Sequence, residues 1–256
     1  DKHWSRGLGD VYKRQAYNVL YIGHSFGRPF ASQMEDFSAM VGIEHNQSIV
    51  FSGGDSGSPE ELWEDSGHRN EIMNILDSGS IDVLIMICCS PSWQANYGVS
   101  DDDAVWNFTS YALEQNPNTR IGLTMPWEDF PLQYDNASEH RDLTDRGYNM
   151  WKNMAGRLSS DFNNADVFTF YHGEAMYELR HMYEQNNLSD IDQLMGAAQN
   201  SLFTDQKGHA GQIAIDTGTL LWMAAIHDVQ PNAFPVFTDW NTDIRVVAQN
   251  ILDQGN

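Results

Sequence analysis

Five short apolar runs, at residues 17–22, 48–51, 82–88, 120–125 and 166–170, are spread along the chain. Stretches whose apolar positions repeat with a helical period separate them. The run Val83-Leu84-Ile85-Met86-Ile87 is apolar without alternation, as a strand covered on both faces must be. Phe30, Met34, Phe37 and Val41 recur at i, i+4, i+7 and i+11, one face of a helix. Helices are also predicted over 60–76, 102–115, 137–158, 174–185, 211–227 and 239–252, with Ile213, Thr217, Leu220, Leu221 and Ala224 sharing a face of the 211–227 stretch. Strands alternating with helices give a parallel sheet between two helical layers. The expected fold class is therefore α/β, a three-layer α/β/α sandwich on a flavodoxin-like parallel sheet of about five strands. With no Pro/Gly-rich linker and no internal repeat, residues 16–256 read as one domain. Residues 126–136 read as a long aromatic loop after the fourth strand, at the carboxyl edge where parallel sheets bind ligands.

Composition narrows the partners. The chain has 256 residues, 41% of them apolar, enough for a sizeable core. No apolar run approaches the ~20 residues of a membrane helix. Against 36 acidic residues stand 14 basic ones, a formal charge of −22, which disfavours nucleic acid and anionic membrane surfaces. A soluble protein suited to a salty setting is expected. Residues 1–15 hold Lys2, Arg6, Lys13 and Arg14 and no apolar core of a signal peptide, so they read as a remnant of processing or assembly. The compartment stays open, with secretion or the periplasm the setting if a native signal is missing from this chain. Cys88 and Cys89 are adjacent at the end of the third run. Neighbouring cysteines make poor structural disulfides, so both read as small core residues.

The chemistry starts at Val19-Leu20-Tyr21-Ile22-Gly23-His24-Ser25-Phe26-Gly27-Arg28-Pro29, where an apolar strand ends in Gly-His-Ser-Phe-Gly and Pro29 opens a helix. This places the Ser25 hydroxyl at the carboxyl edge of the sheet, with backbone N–H groups nearby. A nucleophile also needs a base. Leu202-Phe203-Thr204-Asp205-Gln206-Lys207-Gly208-His209-Ala210-Gly211 supplies Asp205 and His209 on one short loop before a long helix. A carboxylate beside an imidazole fixes its tautomer and stabilises the imidazolium. If this loop returns to the same sheet edge, His209 reaches Ser25. The Gly-x-Ser-x-Gly pattern also matches the nucleophile elbow of α/β-hydrolases, but such an elbow normally follows several strands, and only one precedes Ser25.

Together the two ends resemble the SGNH (GDSL-like) hydrolases, over roughly residues 17–228. The resemblance implies Ser25 as nucleophile, His209 as general base and then acid, Asp205 as the orienting carboxylate, and the Ser25 N–H as one oxyanion donor. A glycine after the second strand supplies another donor in that family. In Phe51-Ser52-Gly53-Gly54-Asp55-Ser56-Gly57-Ser58 the candidate is Gly54, with Gly53 close behind, although a turn that merely needs glycines explains them equally well. Two departures stand out. The acid and histidine are spaced Asp-x-x-x-His, one residue longer than in the family, and the Gly-x-Asn-Asp block after the third strand is missing. Cys88-Cys89-Ser90-Pro91-Ser92-Trp93-Gln94-Ala95-Asn96 stands in its place, with Ser90, Gln94 and Asn96 as replacement donors.

Trp93, Tyr97, Trp127, Phe130 and Tyr134 fall in loops at the catalytic edge, where aromatic rings stack on sugars or grip an acyl group; loop packing is the alternative for each. Trp93, Trp127 and Tyr134, together with Arg28, are the substrate-binding candidates; Arg28 suits a carboxylate, or a local acid. His24 is expected to face away from Ser25. The remaining histidines show no metal-ligand spacing and no phosphate-binding loop is present, so neither metal nor cofactor is expected. The acid runs at Glu60-Glu61 and Asp101-Asp102-Asp103 suit helix N-termini. The sequence thus points to a hydrolase of carboxylic esters with a small-molecule or carbohydrate substrate, a short acyl group such as a sugar acetyl being favoured. Two rivals are a non-catalytic carbohydrate-binding relative and an α/β-hydrolase with another triad, for instance through His227. Oligomeric state is left open.

Overall fold

The computed structural model describes residues 16–88, 91, 103–163 and 165–255. Five parallel strands form the central sheet: β1 (Tyr17–Gly23), β2 (His45–Phe51), β3 (Val83–Ile87), β4 (Arg120–Thr124) and β5 (Val167–Phe170), in the order β2-β1-β3-β4-β5. All five overlap the predicted apolar runs, although β2 starts three residues before its run, at His45. Tyr17 pairs with His45 and Gly23 with Phe51, so the carboxyl ends of β1 and β2 are level. This is the three-layer α/β fold with a five-stranded parallel sheet that the apolar runs predict.

The continuous apolar runs sort their side chains by parity. Val19 and Tyr21, like Val83, Ile85 and Ile87, enter one core; Leu20 and Ile22, like Leu84, Met86 and Cys88, enter the other. The first core lies under α1 (Arg28–Met40) and α8 (Gln212–His227), and the second under α3 (Ser66–Leu76), α4 (Asp103–Gln115) and α6 (Thr144–Asp161). Two-sided burial is why these strands lack a polar face.

The helices differ from the sequence reading in detail. The stretch 60–76 is two helices, α2 (Pro59–Glu64) and α3, broken where Asp65 turns extended and its carboxylate caps α3 by accepting from the His68 N–H at 2.8 Å. The stretch 137–158 likewise splits into α5 (Ala137–Arg141) and α6. After α7 (Gly173–Glu184) comes a two-stranded parallel ribbon, β6 (Gln193–Met195) and β7 (Ser201–Phe203), which no apolar run announced. The last helix, α9 (Ile244–Asp253), is shorter than expected, starting after the Asp243 cap. Glu60 and Glu61 do occupy the first turn of α2, where the helix dipole favours them. Cys88 is a buried member of the second core at the end of β3, as expected, and its sulfur is disulfide-bonded. Cys89 lies outside the described residues.

Candidate active site

The turn after β1 explains its own glycines. Gly23 has φ +154°, and a Cβ there would stand 2.7 Å from Ile87 Cβ; a Cβ on Gly27 would stand 2.7 Å from Ile87 Cγ2. Both glycines let the end of β3 press into the turn between them, which exposes Ser25. The Gly27 and Arg28 N–H groups donate to His24 O at 3.0 and 3.2 Å, a turn that carries the chain from Ser25 through Phe26 and Gly27 into α1 at Arg28. No protein acceptor among the described residues engages the Ser25 N–H, which sits at the positive end of α1.

His209 reaches this turn because its loop is closed at the base. Phe203 bridges Ala210, the Thr204 N–H donates to His209 O at 2.7 Å, and the Gly211 N–H donates to Leu202 O at 2.7 Å. The Ser25 Oγ hydroxyl then lies 2.8 Å from His209 Nε2, and His209 Nδ1 lies 2.6 Å from Asp205 Oδ2. An ionised carboxylate only accepts, so Nδ1 carries the proton and Nε2 is free to accept from the serine. Asp205 Oδ1 also accepts from the Gly208 and His209 N–H groups at 3.0 and 3.2 Å. Burial works to raise the Asp205 carboxyl, but these bonds from the His209 ring and the two backbone groups hold it below its ordinary value.

The extra residue in Asp-x-x-x-His is absorbed at Gly208, whose φ of +102° turns the chain so that Asp205 and His209 still meet. A Cβ there would also stand 2.7 Å from Pro131 Cδ. Gly208→Ala is expected to cost about 1–3 kcal/mol, seen as a lower thermal midpoint together with reduced turnover; an unchanged midpoint would refute this account of the spacing.

The 126–136 loop clamps the Asp205–His209 loop. Trp127 Nε1–H donates to Gly208 O at 2.8 Å and the Phe130 N–H donates to Lys207 O at 3.0 Å. The Phe26 ring stacks on His209 at 5.0 Å and lies 4.8 Å from Trp127. Trp127 is only 1% exposed, so it presents no face to a ligand; its indole steadies the loop instead. The sequence signalled an aromatic at this edge but not its burial. Two histidines stand behind the serine turn. His24 is buried, and its Nδ1 accepts from the Phe26 N–H at 3.3 Å. His172 Nε2–H donates to Phe26 O at 3.2 Å, and its Nδ1 lies 2.9 Å from Thr124 Oγ1. Burial lowers both, to about 4 for His24 and about 3 for His172, so both are neutral props of the turn.

Gly54, at φ +55°, lies on the loop after β2, which is tied to the serine turn by the Ser52 N–H donating to Gly23 O at 3.1 Å. No protein acceptor among the described residues takes the Gly54 N–H. A Cβ there would stand 3.8 Å from Lys207 Nζ, a cation on the Asp205–His209 loop that no sequence motif singles out. Arg28, the first residue of α1, is exposed and carries no ion pair among the described residues. Tyr134 is half-buried, its ring 5.1 Å from His140. Ser90, Trp93, Gln94, Asn96 and Tyr97 lie outside the described residues. His227 cannot serve Ser25: it closes α8, and its Nε2 lies 2.8 Å from Nδ1 of His45, at the amino edge of the sheet. The α/β-hydrolase alternative through His227 is thereby corrected. Among the described residues no group of three His, Cys, Asp or Glu side chains could hold a metal ion, and no helix is long and apolar enough to cross a membrane.

No family model and no curated protein matches the chain. Solved structures do resemble it. A DUF4886 family protein from Bacteroides uniformis superposes with a TM-score of 0.61 at 14% identity, covering 94% of this chain and 96% of that one. A family 3 carbohydrate esterase from Clostridium thermocellum superposes with a TM-score of 0.51 at 10% identity, covering 84% and 96%. At such identities the likeness is one of fold, and that fold is one on which a carbohydrate esterase is built.

Proposed function

We propose that this protein is a serine hydrolase of carboxylic esters that acts through an acyl-enzyme on Ser25. The observation that carries the reading is the unbroken series from Ser25 Oγ to His209 Nε2 at 2.8 Å and from His209 Nδ1 to Asp205 Oδ2 at 2.6 Å, at the carboxyl edge of a parallel sheet. His209 takes the hydroxyl proton as Ser25 Oγ adds to the ester carbonyl, and Asp205 stabilises the imidazolium. The oxyanion falls to the Ser25 and Gly54 N–H groups, with the helix N-terminus adding positive potential. His209 then gives its proton to the leaving alcohol oxygen. Water, deprotonated by His209, releases the acid and restores the serine. Ser90 and Asn96 remain candidates for a further donor. The carbohydrate esterase of the same fold and the open, polar edge around Lys207 and Asp129 favour a short acyl group, such as an acetyl on a sugar.

The test is stoichiometric labelling by a fluorophosphonate together with turnover of p-nitrophenyl acetate. The wild type is expected to label once per chain, at Ser25, and Ser25→Ala to lose both label and turnover. A wild type that neither labels nor turns over the ester would leave only a non-catalytic binding role for this cleft.

A further inference from the structure

Phe130 stands out beside the Asp205–His209 loop. It holds φ +55°, a left-handed conformation that bulky residues rarely adopt, and the residue is 45% exposed. Strain that leaves a large aromatic in water calls for a use of the ring. The Phe130 N–H donates to Lys207 O, so the ring is anchored two residues from His209. The preceding residue, Asp129, faces Lys207 across 3.8 Å, too far for a hydrogen bond, with side chains 24% and 36% exposed. Lys207 Nζ in turn stands against Gly54, so the pair spans the gap between the loop after β2 and the loop after β4. Burial raises the Asp129 carboxyl to about 6, an effect Lys207 opposes and Glu128 and Asp55 reinforce.

We propose that Phe130, Asp129 and Lys207 form a subsite for a sugar ring in the alcohol part of the ester, an inference that rests on the ester-hydrolase reading. A pyranose has an apolar C–H face and a rim of hydroxyls. The first matches an exposed aromatic ring. Neighbouring hydroxyls match a carboxylate that accepts and an ammonium that donates, and the loose 3.8 Å separation leaves a sugar oxygen room to bridge them. An anionic ligand fits poorly, because Asp55 and Glu128 add negative charge beside Asp129, opposite the Lys207 cation, on a chain of charge −22. An alkyl alcohol would cover Asp129 and Lys207 without satisfying them, which is the larger penalty.

The experiment compares kcat/KM for mono-O-acetylated methyl glycosides (gluco, galacto, manno and xylo) with that for p-nitrophenyl acetate, which lacks a sugar. The ratio of the two is expected to fall by roughly tenfold or more in Phe130→Ala and in Asp129→Asn, and to be kept in Phe130→Tyr, which restores the ring. A ratio within about twofold of wild type in both truncating variants would overturn the subsite. Calorimetric titration of Ser25→Ala with the same glycosides separates this from the chemistry. Binding that disappears in Ser25→Ala/Phe130→Ala supports the subsite even if the wild type proves inert, an outcome that would remove the hydrolase reading alone. No binding to Ser25→Ala, with the ratio unmoved, would remove the subsite and leave the hydrolase.

Discussion

His209→Ala and Ser25→Ala are each expected to lower kcat on p-nitrophenyl acetate by about 10⁴-fold or more, and the double variant to be no worse than either. The reason is geometric. With Nε2 at 2.8 Å from Ser25 Oγ, proton removal and attack are one event, so losing either partner removes the same step. What remains comes from the backbone donors and from binding. Multiplicative losses in the double variant would mean that the two groups act in separate steps, and activity largely kept in His209→Ala would remove it as the base.

The same geometry ranks two changes at Asp205. In Asp205→Asn the amide oxygen can still take the Gly208 and His209 N–H groups, but its –NH₂ then faces Nδ1. The imidazole is driven to the tautomer protonated on Nε2, which cannot accept from Ser25. A loss approaching 10³–10⁴-fold follows. Asp205→Ala leaves Nδ1 to water, because the Asp205 side chain is 49% exposed. The alanine variant is therefore expected to be the more active of the two, and the reverse order in kcat would show that the amide of Asp205→Asn does not drive the imidazole to the Nε2-protonated tautomer.

Much of this was legible in the sequence, for physical reasons that also mark where it stops. Strands buried on both faces read as unbroken apolar runs, which is why β1, β3 and β4 were visible, whereas the edge strands β2 and β5 are only partly buried and the polar start of β2, His45-Asn46-Gln47, lay outside the predicted run. β6 and β7 are three residues each at the side of the fold, too short for any period to show. Ser25 and His209 could be paired because each sits beside glycines at the end of an apolar stretch, whereas their meeting depends on Gly208 adopting φ +102°, which spacing alone does not disclose. Trp127 was misread because loop position does not reveal burial; its indole N–H needed an acceptor, and Gly208 O was one. Lys207 and Asp129 belong to no motif, and only folding brings them together.

Acid is expected to unfold this protein cooperatively between about pH 6 and pH 4. Among the described residues five histidines are buried: His24, His45, His140, His172 and His227. Burial lowers His24, His45 and His140 to about 4 and His172 and His227 to about 3. Secondary causes differ: Lys207 and His209 press further on His24, Arg180 on His140, and His45 and Arg120 on His227. Each group binds a proton more readily unfolded, near 6.5, than folded. Its stabilising contribution is complete above pH 6.5 and is lost as pH falls towards the folded value, at about 1.4 kcal/mol per pH unit. A domain has only about 5–15 kcal/mol in total, so a few such groups titrating together exceed it before any reaches its folded pKa. Asp129 runs the other way: its raised carboxyl, about 6, adds stability as pH falls from there towards 4, but it is one group against five. Thermal melts from pH 7.5 to 4 should show the midpoint steady above about 6.5 and falling with increasing steepness below. His140→Gln, which keeps a donor for Glu128 O, should make that fall shallower by about one proton. A midpoint unchanged down to pH 4 would mean that these rings take up protons in place, and that the buried props behind Ser25 are not neutral.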